Sequence, residues 1–253
     1  MRIDCFGCDA EIEADDVDAV VDRFLTHGRE SHDWSYPEQA LRNYALNWAE
    51  AIGRLHGELD RRDRIGEVVI RPVDDANIAD WLGFFDHEAF TDNPDWASCY
   101  CLEPHVPPTP ELPERYWRDS RAMMVERFES GQTFGYLAEV DDKAAGWVNA
   151  SRRSDYAAYR RDTPEDESVI GIACFVVAPP FRSHGIAGLL LDRVISDAPG
   201  RGASSIEAYP ISDPERAEES HYFRGPKAMY ESRGFDEVEL RKHISVMRLG
   251  LTE

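Results

Sequence analysis

Residues 169–178, VIGIACFVVA, are almost all β-branched, aromatic or small, the pattern of a buried strand. Pro179 and Pro180 end it, because neither can donate to a sheet ladder. Beyond them RSHGIA opens a helix whose apolar positions Ile186, Leu189, Leu190 and Val194 predict one buried face, with Gly200 and Gly202 following its end. Upstream, residues 134–140 and 144–151 flank Asp141-Asp142 with alternating burial and predict a β-hairpin. EVVIRPV at 67–73 predicts an earlier strand, followed by a helix over 75–89 that Asp74 or Asp75 would cap. A helix over 113–130 carries Tyr116, Trp117, Met123, Met124 and Phe128, which read as core packing, with lining of a pocket as the alternative. Downstream, SSIEAYP predicts another strand, AMYESRGF the end of a helix, and residues 237–249 alternate enough for two last strands. Residues 91–112, with five prolines and Cys99-Tyr100-Cys101, read as a long loop; the polar stretch 152–167, with Tyr156 and Tyr159, reads as an extended hairpin loop.

Residues 1–65 read as a separate, small and mainly helical unit, and 66–253 as the main domain. Glu11-Ile12-Glu13 is strand-like, and Asp15-Asp16 can cap a helix over 17–26, at whose end His27 and His32 stand. Ser35-Tyr36-Pro37-Glu38 has the form of a capping box, after which Leu41, Ala45, Trp48, Ile52, Leu55 and Leu59 form a seam. That seam packs on the rest of the chain, or else makes a homodimer contact. Residues 61–64, Arg-Arg-Asp-Arg, form a charged connector.

Composition narrows the function. The formal net charge is -21 over 253 residues, and Lys occurs only at 143, 227 and 242. A polyanion needs a basic surface, so nucleic acid is not an expected partner. The acid either steers a cationic amine toward the protein or keeps it soluble in a salty cytoplasm; its even spread along the chain favours the second. No segment approaches the roughly 18 apolar residues of a membrane span, and the charged start MRIDCFGCDAE does not read as a signal peptide. The expectation is a cytoplasmic protein without a membrane partner. Five cysteines, unevenly spaced, do not form a secreted disulfide framework. Cys99 and Cys101 read as buried loop thiols and Cys174 as strand packing.

Free amides where a strand feeds a helix through small residues can hold a pyrophosphate, with the helix dipole assisting. RSHGIA resembles the Arg/Gln-x-x-Gly-x-Gly/Ala loop of the GCN5-related N-acetyltransferase (GNAT) family, with Arg182, Gly185 and Ala187 in the matching places. The apolar strand before it and the closing AMYESRGF, with Tyr230 and Gly234-Phe235, resemble that family as well. The resemblance implies an α/β fold with a mixed, mostly antiparallel twisted sheet flanked by helices. It implies acetyl-CoA as co-substrate, its pyrophosphate on Arg182, Ser183, His184, Gly185, Ile186 and Ala187, and its pantetheine arm along Phe175, Val176 and Val177. It further implies direct attack by an amine of a small molecule or peptide, with Tyr230 as the acid that protonates the leaving thiolate. Glu207 is the first candidate base; Glu139, His221 and a water chain are alternatives. Many family members carry Asn early in the closing helix, where this chain reads Phe223-Arg224-Gly225-Pro226. A coenzyme A-binding sensor without turnover is the rival reading.

One more constellation stands apart. Cys5 and Cys8 have the spacing by which one turn grips a metal ion, and His27 with His32 can complete a tetrahedron, so a structural zinc is expected in a module that resembles small zinc ribbons. The 18 residues between Cys8 and His27 exceed the dozen or so of common zinc fingers. The alternative is two cysteines packed in a turn and two histidines that merely end a helix.

Overall fold

A computed structural model describes residues 1–5, 8–33, 45, 61–90, 92, 96, 99–107, 117–159, 166–212 and 223–251. Strands β1 (Arg2–Asp4) and β2 (Glu11–Glu13) pair antiparallel, and α1 (Val17–His32) follows them. The Asp16 side chain accepts the Ala19 amide at 2.7 Å, the capping contact expected there. The helix runs six residues past 26, however, so both histidines lie on it rather than beyond it, and Asp33 ends it in the left-handed conformation. The unit is therefore a hairpin followed by a helix, with more strand than its sequence suggests. Ile3, Ile12, Val17, Val20, Val21 and Phe24 are buried in one apolar cluster that continues into Trp81, Phe84 and Phe85. The capping box at 35–38 and the seam at 41–59 lie outside the described residues, apart from Ala45, which is buried.

Seven strands form the main sheet: β3 (Val68–Pro72), β4 (Gly135–Val140), β5 (Lys143–Arg152), β6 (Val169–Val177), β7 (Ser205–Ala208), β8 (Asp236–Arg241) and β9 (Ile244–Gly250). Their spatial order is β3-β4-β5-β6-β7-β9-β8, with β6 and β7 parallel and every other pair antiparallel, a mixed and mostly antiparallel sheet as the resemblance implies. Helix α2 (Ile78–Gly83) starts three residues later than expected. Asp74 and Asn77 instead close a turn, with Ala76 N to Asp74 Oδ1 and Asp74 N to Asn77 Oδ1 each at 2.8 Å. It continues as a π-helical turn, Phe84–Glu88, and α3 (Trp117–Glu129) is the described part of the helix expected over 113–130. Trp81 and Phe128 from these helices meet Trp147 of β5 edge-on, at centroid distances of 5.7 and 5.8 Å.

On the opposite face lies α4 (Ile186–Asp197), which buries Ile186, Leu190, Leu191 and Val194. Leu189 is 43% exposed: it and Leu191 flank the 186–190–194 stripe on opposite sides, and the helix turns the Leu191 side inward. A β-carbon on Gly146 of β5 would stand 2.9 Å from Ile186 Cγ2, so glycine lets the helix sit directly on the sheet. The stretch after β5 is also unlike a solvated loop. Arg153, Tyr156 and Tyr159 are buried in and around two short 3-10 turns, and Tyr156 lies against Gly171 of β6. Its polar composition conceals this, since the tyrosine hydroxyl is satisfied inside: Tyr156 Oη donates to Asn149 Oδ1 at 2.8 Å. The last short helix, α5 (Lys227–Glu231), precedes the β8–β9 hairpin.

Candidate functional site

Strand β6 pairs with β5 along its length but with β7 only through Val169, Ile170, Gly171 and Ile172. The β5–β6 register shifts where Asn149 faces Cys174 and Ala150 faces Ile172, which leaves Ala173 as an extra residue. Such a bulge bends the strand and strengthens its twist. On the other side Pro210, two residues past β7, cannot donate to a ladder. The two parallel strands therefore part, and residues 173–177 have no β7 partner. Phe175, Val176 and Val177 lie in this unpaired half.

The strand ends in a 3-10 turn, Pro179–Phe181, and the chain then passes through two left-handed residues, Ser183 (φ 66°) and Gly185 (φ 78°), before α4 begins. Among the described residues no backbone carbonyl receives an N–H from residues 183–187, because the first turn of a helix leaves its donors without partners. A β-carbon on Gly185 would meet nothing within 4 Å, so the space beside that residue is open. Backbone donors without a carbonyl partner, a left-handed kink and a helix N-terminus are features by which a chain can receive an anion.

Arg182, expected at the phosphates, is already engaged. Its Nε donates to Val177 O at 2.9 Å and its Nη2 to Asp92 Oδ1 at 3.0 Å, while Nη1 pairs with Asp92 Oδ2. This fork ties the end of β6 to the loop that follows the π-helical turn. His184 Nε2 donates to Arg62 O at 2.7 Å, and Arg62 N donates to Pro180 O at 2.9 Å.

Of the groups expected to do chemistry, Tyr230 lies near Cys174 beside the unpaired half of β6, and Glu207 lies opposite Gly171 in its paired half. Tyr230, on α5, is fully buried, and its hydroxyl donates to Arg224 O at 2.7 Å. Burial, then the nearby Tyr159 and Cys174, push its pKa well above the usual 10, with Arg224 opposing. The hydroxyl thus stays protonated, next to the strand that opens. Glu207, on β7, is fully buried and faces Arg248 across the β7–β9 pair. Its Oε1 accepts Arg248 Nε at 3.0 Å and a second bond from Nη2; Oε2 accepts Tyr209 Oη at 3.0 Å and lies 3.9 Å from Arg153 Nε. Tyr209 stacks on Tyr159 at 3.7 Å, and Arg224 Nη1 donates to the Tyr159 hydroxyl at 2.7 Å. Glu207 and Tyr230 therefore belong to adjoining but separate hydrogen-bond sets. Glu139 is held by Arg71 at 3.2 Å on β4, and His221 lies outside the described residues.

The loop at 99–107 closes over this face. Tyr100 and Cys101 are both left-handed (φ 47° and 53°), held by Tyr100 Oη to Asp86 and by Asn149 Nδ2 to Cys101 O at 3.2 Å. Cys101 is buried as expected, 3.0 Å from Cys174 Sγ, and burial raises its thiol well above the ordinary range. His105 donates from Nδ1 to Asp155 O at 3.2 Å and accepts Asn149 Nδ2 at 3.0 Å on Nε2.

In the N-terminal unit, Cys5 and Cys8 lie in the β1–β2 connection, and His27 and His32 lie on α1. One ligand atom from each lies within 4.8 Å of all the others. Sulfur–nitrogen separations are 3.2 Å for Cys5–His32, 3.3 Å for Cys5–His27 and 3.4 Å for Cys8–His27. A tetrahedral zinc with bonds of about 2.3 Å to sulfur and 2.0 Å to nitrogen would set sulfur and nitrogen roughly 3.5 Å apart, so the donors fit such an ion. One ligand pair thus comes from the connection of the β1–β2 hairpin and the other from the helix that follows it. The long Cys8–His27 gap arises because His27 stands on the third turn of α1.

Sequence reasoning missed Asp92, Arg62, Asn149, His105 and Arg224. Asp92 sits in an irregular loop and Arg62 in a connector, and neither position carries a local pattern that points to a partner about 90 or 120 residues away.

A family model described as the acetyltransferase (GNAT) family matches residues 93–235. Among solved structures, the chain is similar to the GNAT domain of S. lividans PAT, at 18% identity over 74% of this chain and 92% of that one, with a TM-score of 0.46. It is similar to yncA from Salmonella typhimurium, solved with its cofactor acetyl-CoA, at 16% identity, 74% and 95% coverage and a TM-score of 0.44. It is also similar to the ribosomal-protein-S18-alanine N-acetyltransferase from Escherichia coli, at 13% identity, 74% and 96% coverage and a TM-score of 0.43. No curated protein matches the sequence. Among the described residues no helix is long and apolar enough to cross a membrane.

Proposed function

The chain belongs to the acetyltransferase (GNAT) family and is an acetyl-CoA-dependent acyltransferase, and from that premise we propose that it moves the acetyl group to an amine of a small molecule or peptide by direct attack. The observation that carries the reading is the junction of a half-unpaired strand with a loop of free amides: β6 residues 173–177 lead straight to residues 183–187. Amides of the loop would hold the pyrophosphate, with Ser183, His184, Gly185, Ile186 and Ala187 around it. Backbone groups of Phe175, Val176 and Val177 would take the place of the missing β7 ladder, pairing with the pantetheine arm and polarising the thioester carbonyl. Tyr230 would give its proton to the departing thiolate after releasing Arg224 O. Arg182 serves the coenzyme through the loop it fastens to Asp92. Glu207, with both oxygens engaged, is assigned to holding β7, β9 and the Arg153 turn together, and the amine's proton leaves through water.

The test is thiol release from acetyl-CoA in the presence of polyamines, aminoglycosides, amino acids and peptides with free N-termini. Turnover with one of these classes supports the reading; coenzyme A binding with no turnover on any class, or transfer to hydroxyl acceptors only, overturns it.

We also propose that residues 1–65 form a unit distinct from the catalytic residues 66–253, stapled by one zinc on Cys5, Cys8, His27 and His32. A hairpin of six strand residues and one helix offers little core of its own, and units this small need a metal, disulfide or partner to stay ordered. Elemental analysis of protein purified without a His tag should give about one zinc per chain, and none for Cys5→Ser with Cys8→Ser. A metal-free native protein with α1 protected from hydrogen exchange rules the site out.

A further inference from the structure

We propose that residues 61–64 form a second wall of the coenzyme phosphate site, their arginine side chains meeting the phosphates in front of the residue 183–187 amides. The inference rests on the reading that this loop binds acetyl-CoA, and extends it to a segment that precedes the catalytic domain. The connector is fastened to the loop on both flanks: Arg62 N donates to Pro180 O at 2.9 Å, and His184 Nε2 donates to Arg62 O at 2.7 Å. The Arg62 guanidinium lies 4.6 Å from the centre of the Phe181 ring, over the turn that ends β6. These contacts use the backbone and one ring face, and leave the guanidinium donors of Arg61, Arg62 and Arg64 exposed. Among the described residues neither Arg61 nor Arg64 pairs with a carboxylate, and Arg62 has only a 4.0 Å contact with the exposed Asp141.

Charge gives the segment its purpose. Coenzyme A carries a pyrophosphate and a 3′-phosphate and must approach a chain of net charge -21, whose 28 Lys and Arg are outnumbered by 49 Asp and Glu. The arginine native to the loop does not help, because the Arg182 fork is closed on Asp92 and Val177 O. Three arginines in four positions, held against the loop by main-chain bonds, supply the local positive field that the loop lacks. Arginine's planar fork also matches phosphate oxygens.

The experiment is calorimetric titration of coenzyme A and of 3′-dephospho-coenzyme A into the full chain and into Arg61→Ala, Arg62→Ala, Arg64→Ala combined. The main-chain contacts survive this replacement, so the thermal midpoint should hold while coenzyme A binding weakens about tenfold or more. Equal weakening for both ligands places the arginines at the pyrophosphate; weakening for coenzyme A alone places them at the 3′-phosphate; either supports the proposal. Unchanged affinity for both overturns it. Should the variant unfold, Arg61→Gln and Arg64→Gln, each made singly, repeat the comparison on residues without structural contacts. A parent chain that binds neither ligand brings down the loop reading itself, and this proposal with it.

Discussion

The two sides of the opened β6 strand are prepared in opposite ways. At its C-terminal end the amides of residues 183–187 bond no backbone carbonyl among the described residues, and the space beside Gly185 is open. On the other side Tyr230 is bonded to backbone near Cys174, and Tyr209, Glu207 and Arg248, beyond the paired half, are joined to one another. The proposed anion site would be finished before its ligand arrives, since a helix N-terminus and a left-handed kink need no rearrangement to receive an anion. The chemical side is closed on itself, so the Tyr230 hydroxyl must exchange Arg224 O for the leaving sulfur. That exchange would leave Arg224 O without its Tyr230 donor, a loss of about 1–3 kcal/mol where water does not replace it.

The sharpest way to break the open side is Gly185→Val. Its left-handed backbone is strained for a β-branched residue by roughly 1–3 kcal/mol, and the new methyl groups would stand where the ligand approaches. Coenzyme A affinity should fall about 10³-fold while the fold persists. Parent-like binding by a folded variant, read by calorimetry, would remove the anion site from this loop.

Next in size is Tyr230→Phe. If the hydroxyl is the acid, kcat falls about 10²- to 10⁴-fold while the acetyl-CoA Kd stays within about threefold. The substitution also frees Arg224 O. A variant with normal kcat but a lowered thermal midpoint would mark the hydroxyl as a structural bond and leave the closed side without an acid.

These two tests bear on what the sequence could reveal. The open side was legible because its signals are local: a run of apolar residues, a proline pair, and small residues at a helix start within 20 positions. The β4–β5 hairpin and the two last strands followed from the same short-range patterns, whereas the order of the strands in the sheet did not. The closed side was not legible, since its meaning lies in pairings across the chain. Glu207 reads as a candidate base until Arg248, 41 residues on, is found opposite it, and Arg182 reads as a phosphate ligand until Asp92 is found in its fork. Arg153, Tyr156 and Tyr159 look solvated because burial of polar residues leaves no period in the sequence, only a set of partners in space.

Glu207→Gln separates those roles. Arg153 is almost fully buried and would lose the charge beside it, although Arg248 is 39% exposed and can turn to water. Breaking a buried pair of this kind destabilises by about 3 kcal/mol. Urea unfolding should show that loss, with kcat at low temperature little changed. Unaltered stability with a collapsed kcat would make Glu207 the base and break the contrast between the two sides.

The smallest expected effect uses pH to probe how tightly the closed side is sealed. Burial, with the Arg127 charge adding to it, lowers the His105 pKa from 6.5 to about 3. A protonated ring would also turn Nε2 from an acceptor into a donor facing the Asn149 amide group. In the unfolded chain His105 takes up a proton near pH 6.5, while in the folded chain it stays neutral down to about 3. Its contribution is therefore fully present above pH 6.5 and is lost progressively as pH falls toward 3. Between pH 7 and 5, where most carboxylates keep their charge, this one ring should remove about 2 kcal/mol of unfolding free energy. His105→Gln keeps an amide that can bond Asn149 but cannot titrate, so it should flatten the slope over that interval. If parent and variant lose stability in parallel from pH 7 to 5, His105 is reached by water in the folded protein and the loop at 99–107 does not seal the face it covers.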